Sequence, residues 1–208
     1  MMRKFALIIF TILGLSIHSY AQTINQEELI AKVNKAAGDI KSLECEFTQT
    51  KHISLLKDKM QSNGKMYYNN SSKLRWEYLS PYKYCFILND TKVSLASSTK
   101  KDVIDIKNNQ MFQEIVKIMM NSVTGKCLSS SSDFRVNVTV DGNRTIAVLY
   151  PKKKNLRQLF SNITLRFNAD YSMIETVELF EKSGDKTEIK LKNPKLNGEI
   201  DESVFAID

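Results

Sequence analysis

GKMYYNNSSKLRWEYLSP, residues 64–81, reads as a β-hairpin. Gly64 opens a run in which Met66 and Tyr68 alternate with Lys65 and Tyr67, the period of two of a strand. Asn69, Asn70, Ser71 and Ser72 favour a turn, because their short polar side chains bond to nearby backbone. Leu74, Trp76 and Tyr78 then alternate with Lys73, Arg75 and Glu77. Pro81 ends the second strand, having no N–H to give to a ladder. One face of this hairpin is apolar and aromatic and the other is charged. Such a face needs a cover, either more protein or a ligand.

The same alternation runs outward in both directions. Upstream, Leu43, Cys45 and Phe47 oppose Glu44, Glu46 and Thr48. Downstream, Tyr82, Tyr84, Phe86 and Leu88 share a face, and short strands follow at residues 92–95 and 103–106. In the second half Phe134, Val136, Val138 and Val140 alternate with polar residues, and Asp141-Gly142-Asn143 turns the chain into residues 145–150. Residues 151–155 read as a basic loop. Ile163, Leu165 and Phe167 make a further strand, residues 173–181 and 186–196 a hairpin, and Val204, Phe205 and Ile207 close the chain. Two stretches break the pattern. Residues 25–37 carry Leu29, Ile30, Val33, Ala36 and Ala37 at helical spacing, with Asn25 and Glu28 placed as a capping box and Gly38 as a stop. Residues 108–121 carry Met111, Phe112, Ile115, Val116, Ile118, Met119 and Met120 on a wide apolar helical face. The class is therefore α+β, mainly β: one curved antiparallel sheet or incomplete barrel of ten or eleven strands, with helices on one side.

Residues 1–21 read as a signal peptide rather than as part of the fold. Arg3 and Lys4 precede an apolar run over residues 5–17, too short to span a bilayer, and Ser19-Tyr20-Ala21 supplies small residues at the cleavage position. Cleavage leaves residues 22–208 as a single exported domain and lowers the formal charge from +7 to +5. The lysines are scattered apart from Lys152-Lys153-Lys154, which speaks against nucleic acid. Cys45, Cys85 and Cys127 have neither metal spacing nor a CxxC pair, and Cys45 and Cys85 read as buried free thiols. His52 is the single histidine beyond the signal peptide, with no signature around any serine, so no triad and no zinc site is expected. The glycines are isolated and build no phosphate loop. No enzyme activity, metal or cofactor is expected.

The residues leave two readings of the apolar face open. It is either an ordinary core under a packed helix or a cavity for an apolar ligand. The methionines of residues 111–120 suit the second, because methionine re-packs around variable partners.

An ordered set of short motifs resembles one family. Phe47-Thr48-Gln49, Gly64, Leu74-Arg75-Trp76-Glu77-Tyr78 with Pro81, Asn89-Asp90, Leu149-Tyr150-Pro151 and a closing Asn197-Gly198 with Phe205 resemble the outer-membrane lipoprotein carrier proteins, LolA-like periplasmic chaperones. The resemblance implies a half-open barrel of about eleven strands with helices as a lid over a hydrophobic cavity. It implies acylated lipoproteins as cargo, an inner-membrane ABC lipoprotein-releasing transporter as donor, an outer-membrane acceptor, and a periplasmic monomer. On it the candidate acyl-chain lining is Phe47, Met66, Tyr68, Leu74, Trp76, Tyr78, Tyr84, Phe86, Val136 and Val138. The candidate lid is Met111, Phe112, Ile115, Val116 and Met119. Two departures stand out: Asn69 to Ser72 lacks the basic residue and proline frequent there, and Thr91 replaces a common glycine. Two other classes remain: an envelope-stress sensor on the same scaffold, and a structural surface protein with a filled core.

Overall fold

A computed structural model of the chain describes residues 25–55, 58–107, 113, 116, 120–121, 128 and 133–207. The expected signal peptide and Cys127 lie outside the described residues. Eleven strands form one open antiparallel sheet. The first meander comprises β1 (Ser42–Ile53), β2 (Asp58–Asn69), β3 (Lys73–Ser80), β4 (Tyr84–Asn89), β5 (Lys92–Ser97) and β6 (Lys101–Asp105). The second comprises β7 (Phe134–Asp141), β8 (Arg144–Pro151), β9 (Phe160–Phe167), β10 (Ile174–Glu181) and β11 (Lys186–Leu196). The strand order is β6-β5-β4-β3-β2-β1-β11-β10-β9-β8-β7. Pairing of β1 with β11, Phe47 opposite Leu191 and Gln49 opposite Ile189, joins the two meanders, and β6 and β7 are the outermost strands.

The opening hairpin has the register its alternation demands. Met66 faces Trp76 and Tyr68 faces Leu74 across β2 and β3. Cys45 and Leu43 extend these rows on one side, and Phe86 and Leu88 on the other. All of them therefore share one face of the sheet, since side chains alternate along a strand. The turn between the strands is an Asx turn: Asn69 Oδ1 accepts from the Ser71 N–H at 3.0 Å, and Ser72 takes a φ of 63°.

Helix α1 (Gln26–Asp39) covers part of that face, burying Leu29, Val33 and Ala37. Its start differs from a capping box. Asn25 accepts from the Glu27 N–H, while Glu28 pairs with Lys32 at 2.8 Å one turn on. Gly38 does not stop it; the helix continues to Asp39 and ends where Ile40 turns extended and buries its side chain. The Gln26 amide sits on the outer edge of β7, donating to Val136 O at 3.5 Å and accepting from Val138 N at 3.3 Å. It thereby occupies edge groups that would otherwise template another strand.

Three local expectations are corrected. Gly64 does not open its strand: β2 begins at Asp58 and Gly64 lies within it, opposite Phe47. Tyr82 is not on the apolar face, because β4 starts only at Tyr84 and Tyr82 sits in the preceding turn, 75% exposed. The expected basic loop contains a short helix, α2 (Lys154–Leu159), anchored by the buried Leu156.

The other face of the sheet is partly covered as well. The closing 3-10 turn (Glu202–Phe205) lies on β3 and β4, where Arg75 Nη1 donates to Val204 O at 3.2 Å and Asn89 Nδ2 to Phe205 O at 3.1 Å. Phe205 is fully buried, and Ile87 and Ser94 are buried on that same face.

Candidate functional site

The apolar face gathers into two clusters. The first joins Phe47, Met66, Tyr68, Leu74 and Trp76 to Leu43, Cys45, Leu88, Val93 and Leu191, with Tyr78 and Phe86 half-buried against it. The second joins Val138 to Leu149, Leu165, Phe167 and Ile174, with Val136 half-buried beside it. Ile189 on the central strand β11 packs against both. Of the ten candidate lining residues, seven thus meet in the first cluster and Val136 and Val138 belong to the second. Tyr84 stands at the rim, partly exposed.

Different pieces cover the two halves. Leu29 and Val33 of α1 lie over the second cluster together with Leu128. Over the first lie Ile40, Ile106 and Met173, with Val116 buried and Met120 half-buried. Val116 and Met120 belong to the candidate lid stretch, in which Gln113, Val116, Met120 and Asn121 are helical. Gln113 Nε2 donates to Ile106 O at 2.8 Å and Lys107 O at 2.7 Å, tying that stretch to the end of β6. The other four candidate lid residues, Met111, Phe112, Ile115 and Met119, lie outside the described residues.

The aromatic side chains form a path from the interior to the rim. The Phe47 ring lies 4.3 Å from Trp76 and 5.2 Å from Tyr78, the latter edge-on at 87°. Tyr78 in turn lies 6.3 Å from Tyr84. Offset and edge-to-face contacts of this kind are favourable because the positive ring edge meets the negative face. Tyr78 donates from its hydroxyl to Gln49 Oε1 at 2.9 Å, so its polar end is satisfied at the margin of the apolar surface. Burial pushes the Tyr68 and Tyr78 phenols up, keeping both neutral at physiological pH. Burial also pushes the Cys45 thiol up to about 12, with Glu44 and Glu46 adding to it. The two clusters hold aliphatic and aromatic side chains with the thiol of Cys45 and the tyrosine hydroxyls, the chemistry of an apolar ligand.

Sequence reasoning passed over Ile189 and Leu191, although they alternate with Glu188 and Lys190. Their strand was read for its hairpin rather than for its face. Among the described residues no three His, Cys, Asp or Glu side chains stand together as a metal group. A hollow of about 300 Å3 lies on the opposite, polar side of β1 and β2, lined by Glu46, Lys65, Leu79 and Lys192 among others.

A family model described as outer membrane lipoprotein carrier protein LolA matches residues 38–208. The chain belongs to that family. The outer-membrane lipoprotein carrier protein of Chromohalobacter salexigens is 22% identical over 205 residues, covering 99% of this chain and 92% of the relative. Among solved structures, an uncharacterized conserved protein from Thermus thermophilus superposes with a TM-score of 0.53 at 10% identity, covering 88% of this chain and 93% of the other. MucB superposes with a TM-score of 0.52 at 9% identity, over 88% of this chain and 62% of MucB. These two likenesses are of fold. The LolA family membership and the open eleven-strand sheet agree with the resemblance drawn from the motifs.

Proposed function

We propose that this LolA-family protein is a periplasmic chaperone that takes the acyl chains of lipoproteins onto its apolar sheet face and carries them from the inner to the outer membrane. An inner-membrane ABC transporter supplies the cargo and an outer-membrane acceptor receives it; residues 1–21 serve as the export signal. One observation carries the reading. Among the described residues, the aromatic face of the first cluster is covered by the helical residues Val116 and Met120 and by Ile40, Ile106 and Met173, all outside the strands, so this cover is separable from the scaffold that shapes the face. Family membership supports the same reading. The physical need is plain, because each methylene in water costs about 0.8 kcal/mol, so a chain of about sixteen carbons costs about 12 kcal/mol when bare.

Trp76 is the only tryptophan in the chain and sits in this cluster. Titrating a triacylated peptide into delipidated protein shifts or quenches its emission saturably, and the unacylated peptide leaves it unchanged. Trp76→Phe removes the signal while native mass spectrometry still detects bound acyl peptide. A flat titration together with no bound ligand in the mass spectrum refutes the carrier reading and leaves a filled core.

A further inference from the structure

We infer that one end of the sheet, the end carrying Leu55, Tyr82 and Leu159, is a docking surface for an anionic phospholipid bilayer. The antiparallel order places the connections at residues 54–55, 81–83, 98–100, 152–159 and 182–185 at this same end. Exposed apolar side chains concentrate there. Leu55 is 91% exposed and Tyr82 75%, and Met60, Leu79, Tyr84 and Leu159 are also exposed. Among the described residues, Val103 is the one large exposed hydrophobic residue elsewhere.

Charge divides between the two ends in the same sense. The connections at the apolar end carry Lys83, Lys100, the run Lys152 to Lys154, Arg157 and Lys182 against two acids, Asp185 and Asp133, the latter paired with Lys153 at 3.0 Å. The connections at the opposite end, residues 40–41, 70–72, 90–91, 106–107, 142–143, 168–173 and 197–201, carry Asp90, Asp170, Glu199 and Asp201 against Lys41 and Lys107. Lys83, Lys154, Arg157 and Lys182 make no ion pair among the described residues, so their charge is available to a partner. A molecule basic at one end and acidic at the other orients itself on a negative surface, basic end inward.

The shape fits as well. β2 pairs with β3 only from Asn63 onward, so residues 58–62 continue past Ser80, an overhang of roughly 16 Å at strand spacing. The arm is braced rather than loose. Ser54 N donates to Asp185 Oδ1 at 3.0 Å, and Lys51 pairs with Glu181 at 3.2 Å. A braced arm tipped by leucine, with tyrosine and lysines around it, matches the headgroup boundary, where aromatic rings and snorkelling lysines are both accommodated. A soluble acidic partner would use the lysines but give Leu55 nothing to enter.

The inference goes beyond the carrier reading and does not depend on it. A failed acyl titration leaves it standing, and its own failure leaves the carrier reading intact. The test is sedimentation of the purified protein with vesicles of phosphatidylglycerol and phosphatidylethanolamine, or of phosphatidylcholine alone. Each basic residue near an anionic surface strengthens binding about fivefold. Binding to the anionic vesicles is therefore expected to exceed binding to phosphatidylcholine by at least about tenfold and to fall as salt shortens the screening length. Lys83→Glu with Lys182→Glu lowers it about tenfold or more. Lys41→Glu with Lys92→Glu, the same charge change at the opposite end, leaves it unchanged. Leu55→Ser with Tyr82→Ser weakens it while the circular dichroism spectrum stays the same. Equal binding to both vesicle types, no binding to either, or equal loss from the two charge reversals overturns the inference. So does a concentration-dependent dimer abolished by Leu55→Ser with Tyr82→Ser, which would assign this end to a second copy of the chain.

Discussion

Replacing Gly64 by alanine tests whether the aromatic face is built as described. Gly64 is not in the left-handed region, so alanine is tolerated by its own backbone, and any cost comes from neighbours. An added Cβ would meet Glu77 O at 2.0 Å and the Phe47 ring at 2.5 Å (Cζ) and 2.6 Å (Cε1). Ordinary contact begins near 3.4 Å, so the carbonyl must retreat by more than an ångström, opening a rung of the ladder between β2 and β3. The Phe47 ring must also slide, although Trp76 and Tyr78 pack against it. Overpacking costs about 1–3 kcal/mol and a lost ladder hydrogen bond about 1, so a loss of about 3 kcal/mol is expected. At this chain length that lowers Tm by about 6–12 °C, read from the near-ultraviolet dichroism of the aromatic cluster. Phe47→Leu in the Gly64→Ala background relieves the ring contacts but not the carbonyl contact. The double variant should therefore be about 1 kcal/mol more stable than additivity gives, yet still below Phe47→Leu alone. A Gly64→Ala loss under about 2 °C, or complete rescue by Phe47→Leu, refutes the close approach.

The buried carboxylate Glu178, held by Arg166 at 3.0 Å and by Lys186, gives a pH test. Burial alone would raise its pKa, but Lys186 and Arg166 outweigh burial and hold it below the usual carboxylate value. Its contribution is thus present above that value and lost as pH falls through the depressed one. Glu178→Gln should cost about 2 kcal/mol at neutral pH in chemical denaturation, with the difference from wild type closing in acid; a constant difference refutes the assignment. Cys45 lies on the apolar face of β1 and Cys85 on the opposite face of β4, three strands away, roughly 14 Å at sheet spacing and beyond disulfide reach. Both label with maleimide after denaturation without reduction, Cys45 resists labelling in the native protein, and a Cys45–Cys85 cross-linked peptide in a digest of the denatured, unreduced sample would show the bond that this geometry forbids.

The parts of the fold legible in the sequence are those set by neighbours along the chain. The period of two through Met66, Tyr68, Leu74, Trp76 and Tyr78 names the residues of one face, and those five do meet in one cluster. The helical stripe of Leu29, Val33 and Ala37 names the buried side of α1. What local periodicity cannot carry is partnership across the chain. Nothing near Phe47 says that Leu191 pairs with it, 144 residues later. Nothing in the alternation of β4 says that Ile87, on its polar side, is buried where the chain end brings Phe205. Gly64 misled for a related reason. Glycine after polar residues reads as a strand boundary, while its actual role is to leave room for a ring from the adjacent strand and a carbonyl from the next.

The closed state of the face bears on how a carrier of this build lets go. Met66 and Leu74 are fully buried and Trp76 nearly so, so on the carrier reading an acyl chain would enter the first cluster by displacing what lies on it. The covering side chains include Val116 and Met120. Burying a valine or methionine side chain stabilises by about 1.5–3 kcal/mol, so uncovering both costs about 3–6 kcal/mol. Set against about 12 kcal/mol for a sixteen-carbon chain, the surplus is about 6–9 kcal/mol per chain before ordering costs. A site that stood open would gain the full amount and hold its cargo accordingly. In a carrier the cover would therefore be not an obstacle to binding but the term that weakens it, and reversibly so, because the same side chains would return when the cargo leaves. On the carrier reading, control of release would then lie with Val116, Met120 and their neighbours in the cover and not with the sheet, whose rows are fixed by eleven strands of ladder. It also separates the two alternatives for the face: in a filled core, shortening Val116 and Met120 to alanine only lowers stability, whereas in a carrier it lowers stability and tightens acyl binding together.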